Sequence, residues 1–226
     1  MINLEYLLNI IAPHYCMGCD VEGDILCNDC LITMPTLPYE RCLLCDKVVN
    51  DRYICRQCQI STQIFSIFIR TTYSGIARKL IYVTKFGRVK AGANAIAKAM
   101  NAVLPGDYKT VTYVPTTSKR RRQRGYDQAE LIAKAIARQR GWKVVSLLRR
   151  ANDSRQLGAS RYQRQKQARA SFEVKRLQNE TIEPILLIDD VITTGSSVRS
   201  CVKLLHEMGF LTVDVAVFAY TQSKQK

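Results

Sequence analysis

Ile185-Leu186-Leu187-Ile188-Asp189-Asp190-Val191-Ile192-Thr193-Thr194-Gly195-Ser196-Ser197 is the stretch whose reading decides the fold. Its first four residues form a short apolar run, the composition of a strand buried on both faces. Two carboxylates stand at the end of that strand. A hydroxyl-rich turn with one glycine follows, and a helix is predicted from about Ser197 to Met208, ended by Gly209. A turn of this kind aims backbone N–H groups and a helix N-terminus at an anion. The hydroxyls of Thr193, Thr194 and Ser197 add hydrogen bonds, Ser196 lies between them, and Gly195 lets the backbone approach closely. Asp189 and Asp190 do not suit the anion; they suit neutral hydroxyls. The pattern therefore fits a ligand with hydroxyls at one end and a phosphate at the other, as in a ribose 5-phosphate. The blander reading is a pair of acids that binds only a metal, followed by an ordinary helix cap.

Outward from this stretch, strands and helices alternate. Phe65 to Ile69 is β-rich, and helical patterns run from about Ile76 to Phe86 and from about Ala91 to Val103. Val111-Thr112-Tyr113-Val114 reads as a strand stopped by Pro115. Asp127-Gln128-Ala129-Glu130 opens a helix to about Arg140, and Val213 to Phe218 is the last strand. Residues 149–171 are polar and basic with no clear hydrophobic face, and read as a mobile loop. This alternation predicts an α/β fold with a parallel sheet covered by helices, its ligand beyond the carboxyl ends of the strands. The division expected is a small domain over residues 1–60 and an α/β domain over 61–226.

The first sixty residues lack the large apolar side chains of an independent core. They carry instead four Cys-x-x-Cys pairs: Cys16/Cys19, Cys27/Cys30, Cys42/Cys45 and Cys55/Cys58. Two such pairs complete a closed tetrahedral thiolate site, so eight ligands imply two structural zinc ions. The simplest pairing is sequential, with Cys16, Cys19, Cys27 and Cys30 on one ion and the other four on the second; a crossed pairing also satisfies the spacing. Such a site does no chemistry; it holds together a segment that cannot fold on its own core. His14 is a bystander in this reading, and Cys201 a small core residue.

Length and composition are those of a globular protein with one core and an appendage. No run of 18 or more apolar residues is present. Met1 to Pro13 lacks the basic start and small-residue cleavage site of a signal peptide. Paired thiols without a secretory signal point to metal ligation in a reducing cytoplasm. The formal charge of +15 is unevenly spread. Residues 1–60 hold four Lys/Arg against eight Asp/Glu; residues 116–176 hold eighteen against four. Each zinc with four thiolates adds further negative charge to the first part, so a polyanion is expected to meet the middle of the chain.

The quoted stretch resembles the phosphoribosyl pyrophosphate (PRPP) motif of type I phosphoribosyltransferases. The chain as a whole resembles the ComF family (ComFC/GntX-like proteins), associated with natural competence and DNA uptake. The resemblance rests on the Cys pairs, on Lys85-Phe86-Gly87, on Val114-Pro115 and on Arg124-Gly125-Tyr126-Asp127-Gln128. Gln156, Ser160, Arg164 and Phe172 in and after the basic loop also match. The chain departs from the family where Thr116 or Thr117 replaces a second proline, where Tyr126-Asp127 replaces Phe-Asn, and where Gln167 replaces an asparagine.

The resemblance implies that residues 114–118 form the pyrophosphate loop, with Thr116, Thr117, Arg124, Lys85 and Arg164 in a basic cleft. It also implies Mg²⁺ accompanying PRPP, Asp189 and Asp190 holding the ribose hydroxyls, and residues 149–169 closing over the site. One reading is an enzyme that transfers the phosphoribosyl group and releases pyrophosphate. Another keeps the pocket as a PRPP sensor, or uses the basic region 119–169 to hold single-stranded DNA, with bases stacked on Tyr162 or Tyr126. Other competence proteins are expected as partners, and insertion into a membrane is not.

Overall fold

The computed structural model describes residues 14–221 except 39, 51, 88, 107, 152–171 and 176–182. A five-stranded, fully parallel sheet has the order β1-β7-β6-β2-β3. Its strands are β1 (Ile67–Thr72), β2 (Thr110–Tyr113), β3 (Lys143–Val144), β6 (Ile185–Ile192) and β7 (Val213–Tyr220). A second sheet pairs β4 (Leu148–Arg150) antiparallel with β5 (Phe172–Val174). The helices are α1 (Asn28–Ile32), α2 (Arg56–Thr62), α3 (Gly75–Phe86), α4 (Val89–Asn101), α5 (Ser118–Arg124), α6 (Gln128–Arg140) and α7 (Ser196–Glu207). None of them, among the described residues, is long and apolar enough to cross a membrane.

The pleat of the strands sorts the core into two layers. Leu186, Ile188, Ala216 and Phe218 face α3, α4 and α6; Ile185, Leu187, Val215 and Val217 face α7. Both faces are apolar because both are covered, which is why β6 begins as an unbroken apolar run. The strand is longer than that run predicts: it continues past Asp189 and Asp190 to Ile192, so both carboxylates lie within it rather than at its end. The final helix begins at Ser196, one residue early, and its Gly195 N-cap adopts a left-handed φ of 69°.

Two elements depart from expectation. The run Lys119 to Arg124 forms a short helix, α5, although it has no apolar face. Thr117 caps it by accepting from Arg120 N at 3.2 Å, and Gly125 ends it at φ 81°. The strands β4 and β5 frame the basic loop, tied by Arg149–Glu173 at 2.8 Å and by Arg150 over the Phe172 ring at 4.7 Å. Residues 152–171, with Gln156, Ser160, Tyr162, Arg164 and Gln167, lie outside the described residues.

The cysteine segment builds no core of its own; its halves join the two layers separately. Ile25, Leu26 and Met34 pack with α3 and α4. The buried Arg70 of β1 holds this half by donating to Met34 O at 3.1 Å and Leu31 O at 2.7 Å. Tyr53, Ile54 and Cys58 pack with Val198, Cys201, Val202 and Leu205 of α7.

Candidate PRPP-type cleft and metal centres

In a parallel sheet the ligand crevice opens where the strand order reverses. Here that point lies between β2 and β6, since the chain runs outward from β2 to β3 on one side and outward from β6 to β7 on the other. The loop after β2 is Val114 to Thr117 and the C-terminal half of β6 carries Asp189 and Asp190, so the two predicted loops flank one crevice. A cleft of about 260 Å³ there is lined by Lys85, Thr116, Arg120, Arg124, Gln128, Asp189, Asp190 and Ser197, among others.

The acids are held by their own strand. Asp189 Oδ1 accepts from Asp190 N at 2.8 Å and Asp190 Oδ1 from Val191 N at 2.9 Å. Lys85 Nζ, from the last turn of α3, lies 3.3 Å from Asp190 Oδ2. Burial pushes the Asp189 carboxyl well above the usual range, and the neighbouring charges of Asp190 and Asp127 add to it. A group that ionises only at a cost is stabilised by hydroxyl donors or by a cation.

Gly195 is buried at the foot of the turn, flanked by the exposed Thr194 and Ser196, whose hydroxyls meet at 3.2 Å. The φ at Gly195 favours glycine, and a Cβ there would crowd Leu44, standing 3.0 Å from Leu44 Cδ2 and 3.4 Å from Ile192 Cδ1. Thr193 completes the turn, and Ser197 reaches the cleft from the first turn of α7.

The run Arg124 to Gln128 is the hinge of the opposite wall. Arg124 lies 5.4 Å over the Phe86 ring. Tyr126 Oη donates to Thr84 O and Lys85 O at 2.7 and 2.8 Å, clamping the end of α3 that bears Lys85. Asp127 caps α6 through Ala129 N and Glu130 N and also accepts from Thr116 N at 2.7 Å. The Asp127 carboxyl thus fixes the loop after β2. Burial raises its pKa, while those N–H groups oppose the shift. Glu130 does not close a capping box; it turns to Lys134 at 2.7 Å. Gln128 is 4% exposed, and neither Nε2 nor Oε1 has a partner among the described residues. A buried amide lining a cleft with both ends unpaired points to a ligand. Sequence alone does not mark Gln128 as a site residue, because its orphan state exists only once α6 is docked.

Six expected residues therefore converge: Lys85, Thr116, Arg124, Asp189, Asp190 and Ser197. Thr117 serves as the cap of α5, and Arg164 lies outside the described residues. Arg120, Arg121 and Arg122 are exposed, with Arg120 reaching the cleft.

The thiols gather sequentially: Cys16, Cys19, Cys27 and Cys30 in one cluster, and Cys42, Cys45, Cys55 and Cys58 in the other, with sulfurs within 4.8 Å of one another in each. The crossed arrangement is excluded, and His14 is in neither cluster. Sulfurs at about 2.3 Å from a tetrahedral ion stand about 3.8 Å apart. The pairs Cys16–Cys27, Cys19–Cys27 and Cys45–Cys55 are 3.6, 3.7 and 3.6 Å apart. Backbone N–H groups of Gly18 and Cys27 point at Cys16 Sγ, and that of Cys55 at Cys42 Sγ, each at 3.4 Å. Burial opposes ionisation of Cys16, yet the N–H groups of Cys27, Gly18 and Cys19 outweigh it and hold the thiol at about 6. The N–H of Cys58 leads in holding Cys55 at about 7. The Cys27 sulfur pushes Cys30 up, and burial does the same to Cys58. Thiolates crowded in this way call for a cation, and both sets fit structural zinc.

Comparison with known proteins finds the chain similar to competence and DNA utilization proteins. The chain is 24% identical over 195 residues to competence protein ComFC of Bacillus subtilis, covering 81% of this chain and 79% of that protein. It is 24% identical over 219 residues to DNA utilization protein YhgH of Salmonella typhimurium, covering 84% and 94%. A stretch of 108 residues is 31% identical to competence protein F of Haemophilus influenzae, covering 45% and 46%. No family model matches the chain.

Proposed function

We propose that this chain, a member of the ComF family of competence proteins, binds PRPP in the crevice between β2 and β6 and serves DNA uptake as a phosphoribosyltransferase-like protein. The observation that carries the reading is the convergence on one crevice of the Asp189–Asp190 pair, Ser197 in the first turn of α7 and the unpartnered amide of Gln128. The 5-phosphate takes the N–H groups and hydroxyls of Thr193 to Ser197. The ribose hydroxyls take Asp189 and Asp190, and the pyrophosphate faces Lys85, Thr116 and Arg124. Oxygen donors of this kind suit Mg²⁺, which would supply charge neutralisation for the pyrophosphate. The two cysteine clusters hold structural zinc, in keeping with a reducing compartment.

In the transfer reaction the bond from ribose C1 to the pyrophosphate oxygen breaks, the electron pair leaves with pyrophosphate, and an acceptor nucleophile bonds to C1. The chain's part is to fix the ribose by two acids and to receive the departing negative charge on Lys85 and Arg124. The test is to mix protein, PRPP and Mg²⁺ with candidate acceptors and follow pyrophosphate. Turnover that disappears in Asp190→Ala supports transfer. PRPP binding without turnover assigns the same site to sensing.

A second reading, single-stranded DNA binding, is favoured by one observation: Arg120, Arg121 and Arg122 stand exposed on a helix whose end abuts the cleft. Tyr126, beside that helix, is half-buried with its hydroxyl held on the carbonyls of α3.

A further inference from the structure

The exposed face of α3 carries a feature that PRPP binding does not use. Arg78, Tyr82 and Phe86 follow one another at intervals of four residues, which places them on one stripe of the helix. Tyr82 is 64% and Phe86 65% exposed, and their rings lie 5.1 Å apart. Large aromatic rings exposed side by side lose the burial that ordinarily justifies them. They line a groove of about 620 Å³ whose charged members, Arg78, Lys79 and Lys85, are all cationic among the described residues. Lys79 is occupied by Met17 O at 3.0 Å and Lys85 by Asp190, but Arg78 is exposed. Arg124 lies over Phe86 and also lines the PRPP-type cleft, so the stripe runs from Arg78 into that cleft without crossing an acid until Asp190.

Exposed rings interleaved with cations are what a polyanion with flat apolar units requires: phosphates go to the cations and bases stack on the rings. A small anion would leave the rings unused, and an apolar protein surface would leave the cations unpaired. We infer that Tyr82 and Phe86 form a stacking platform for bases of a single-stranded nucleic acid, with Arg78 and Arg124 taking the flanking phosphates. The inference rests on the strand-binding reading and locates it on α3, beside rather than within the helix that carries Arg120, Arg121 and Arg122.

The test uses the full-length, zinc-loaded protein and a fluorescein-labelled oligothymidine of twenty nucleotides, followed by anisotropy over a salt series. Tyr82→Ala and Phe86→Ala are each expected to weaken binding about 5- to 150-fold, the range for one stacked base, while leaving the slope of affinity against salt unchanged. Arg78→Ala is expected to lower that slope by about one phosphate's worth. A 2-aminopurine placed within the strand should be quenched on binding to the wild-type chain and less so in the double variant. Both rings are exposed, so their removal opens no cavity, and an unchanged circular dichroism spectrum confirms the fold. If the wild-type chain binds and both alanine variants bind equally well, the platform is wrong while strand binding stands. If the wild-type chain does not bind, the strand reading itself fails and takes the platform with it.

Discussion

The two cysteine modules repeat one arrangement of paired Cys-x-x-Cys knuckles and differ in what they lean on. The first seats Gly18, at the tip of its leading knuckle, against Ile76 of α3: a Cβ on Gly18 would stand 2.9 Å from Ile76 Cδ1. The second seats Leu44, at the equivalent knuckle, against Gly195 at the foot of the turn into α7. One module therefore supports the outer helical layer, and the other supports the turn that would hold the ligand. The same metal chemistry stabilises the fold in one place and shapes a site in the other. The second module's apolar residues share a core with the buried face of α7, so a loosened module would loosen the start of that helix.

The largest effect that can break this comparison is removal of one metal at a time. Cys42→Ser with Cys45→Ser is expected to cost about one zinc per chain and at least a hundred-fold in PRPP affinity. Cys16→Ser with Cys19→Ser is expected to cost the same metal and some thermal stability, with PRPP affinity within about three-fold of wild type. Metal analysis and calorimetry read both. Equal losses of affinity from the two would erase the distinction.

A second effect concerns pH. Asp189 holds its proton to a higher pH than a free carboxyl, chiefly because of burial. Binding of Mg²⁺ with PRPP favours the ionised form, so protons compete with the ligand. Affinity should therefore rise as pH rises through the acid range above the ordinary carboxyl value of 3.8, and binding should release protons, seen as a buffer-dependent heat. An affinity that falls over that range contradicts the assignment.

Finer still is Leu44→Ala. The half-buried side chain contributes about 1 kcal/mol of apolar contact, so zinc should stay bound while PRPP affinity drops roughly five-fold. The matching Ile76→Ala on the first module's side should leave affinity unchanged.

Smallest is Asp127→Asn, which restores the family's neutral residue. The amide keeps one acceptor for the α6 cap or for Thr116 N, not both, and a cost of about 1 kcal/mol is expected. The raised carboxyl of Asp127 binds its proton more tightly folded than unfolded, so its contribution to stability falls as pH rises through that window. Thermal melts against pH should show that slope reduced in the variant.

Much of this was legible in the sequence for identifiable reasons. Ile185 to Ile188 is buried on both faces, so its composition alone names a central parallel strand. The Cys-x-x-Cys spacing reports a knuckle wherever it stands, but only the fold could choose sequential pairing. The helix from Lys119 to Arg124 was hidden because its cap, Thr117, and its stop, Gly125, replace the apolar periodicity that usually reveals a helix. Tyr82 and Phe86 read as ordinary members of an amphipathic pattern; that they face outward depends on how α3 docks. Gln128 stands in the Arg124–Gln128 run, but nothing there marks it as a binding group, since an amide is orphaned only by its surroundings.

The central claim is that Asp189, Asp190 and the turn at Gly195 hold the two ends of one phosphorylated ribose. Calorimetry of the zinc-loaded wild-type chain with PRPP and Mg²⁺, repeated with Asp190→Asn, tests it most directly. The account predicts a one-site heat for the wild type and a loss of about ten-fold or more in the variant, whose amide cannot match a charged acceptor. No heat from a correctly folded, zinc-loaded chain, or equal affinity in the variant, would contradict it.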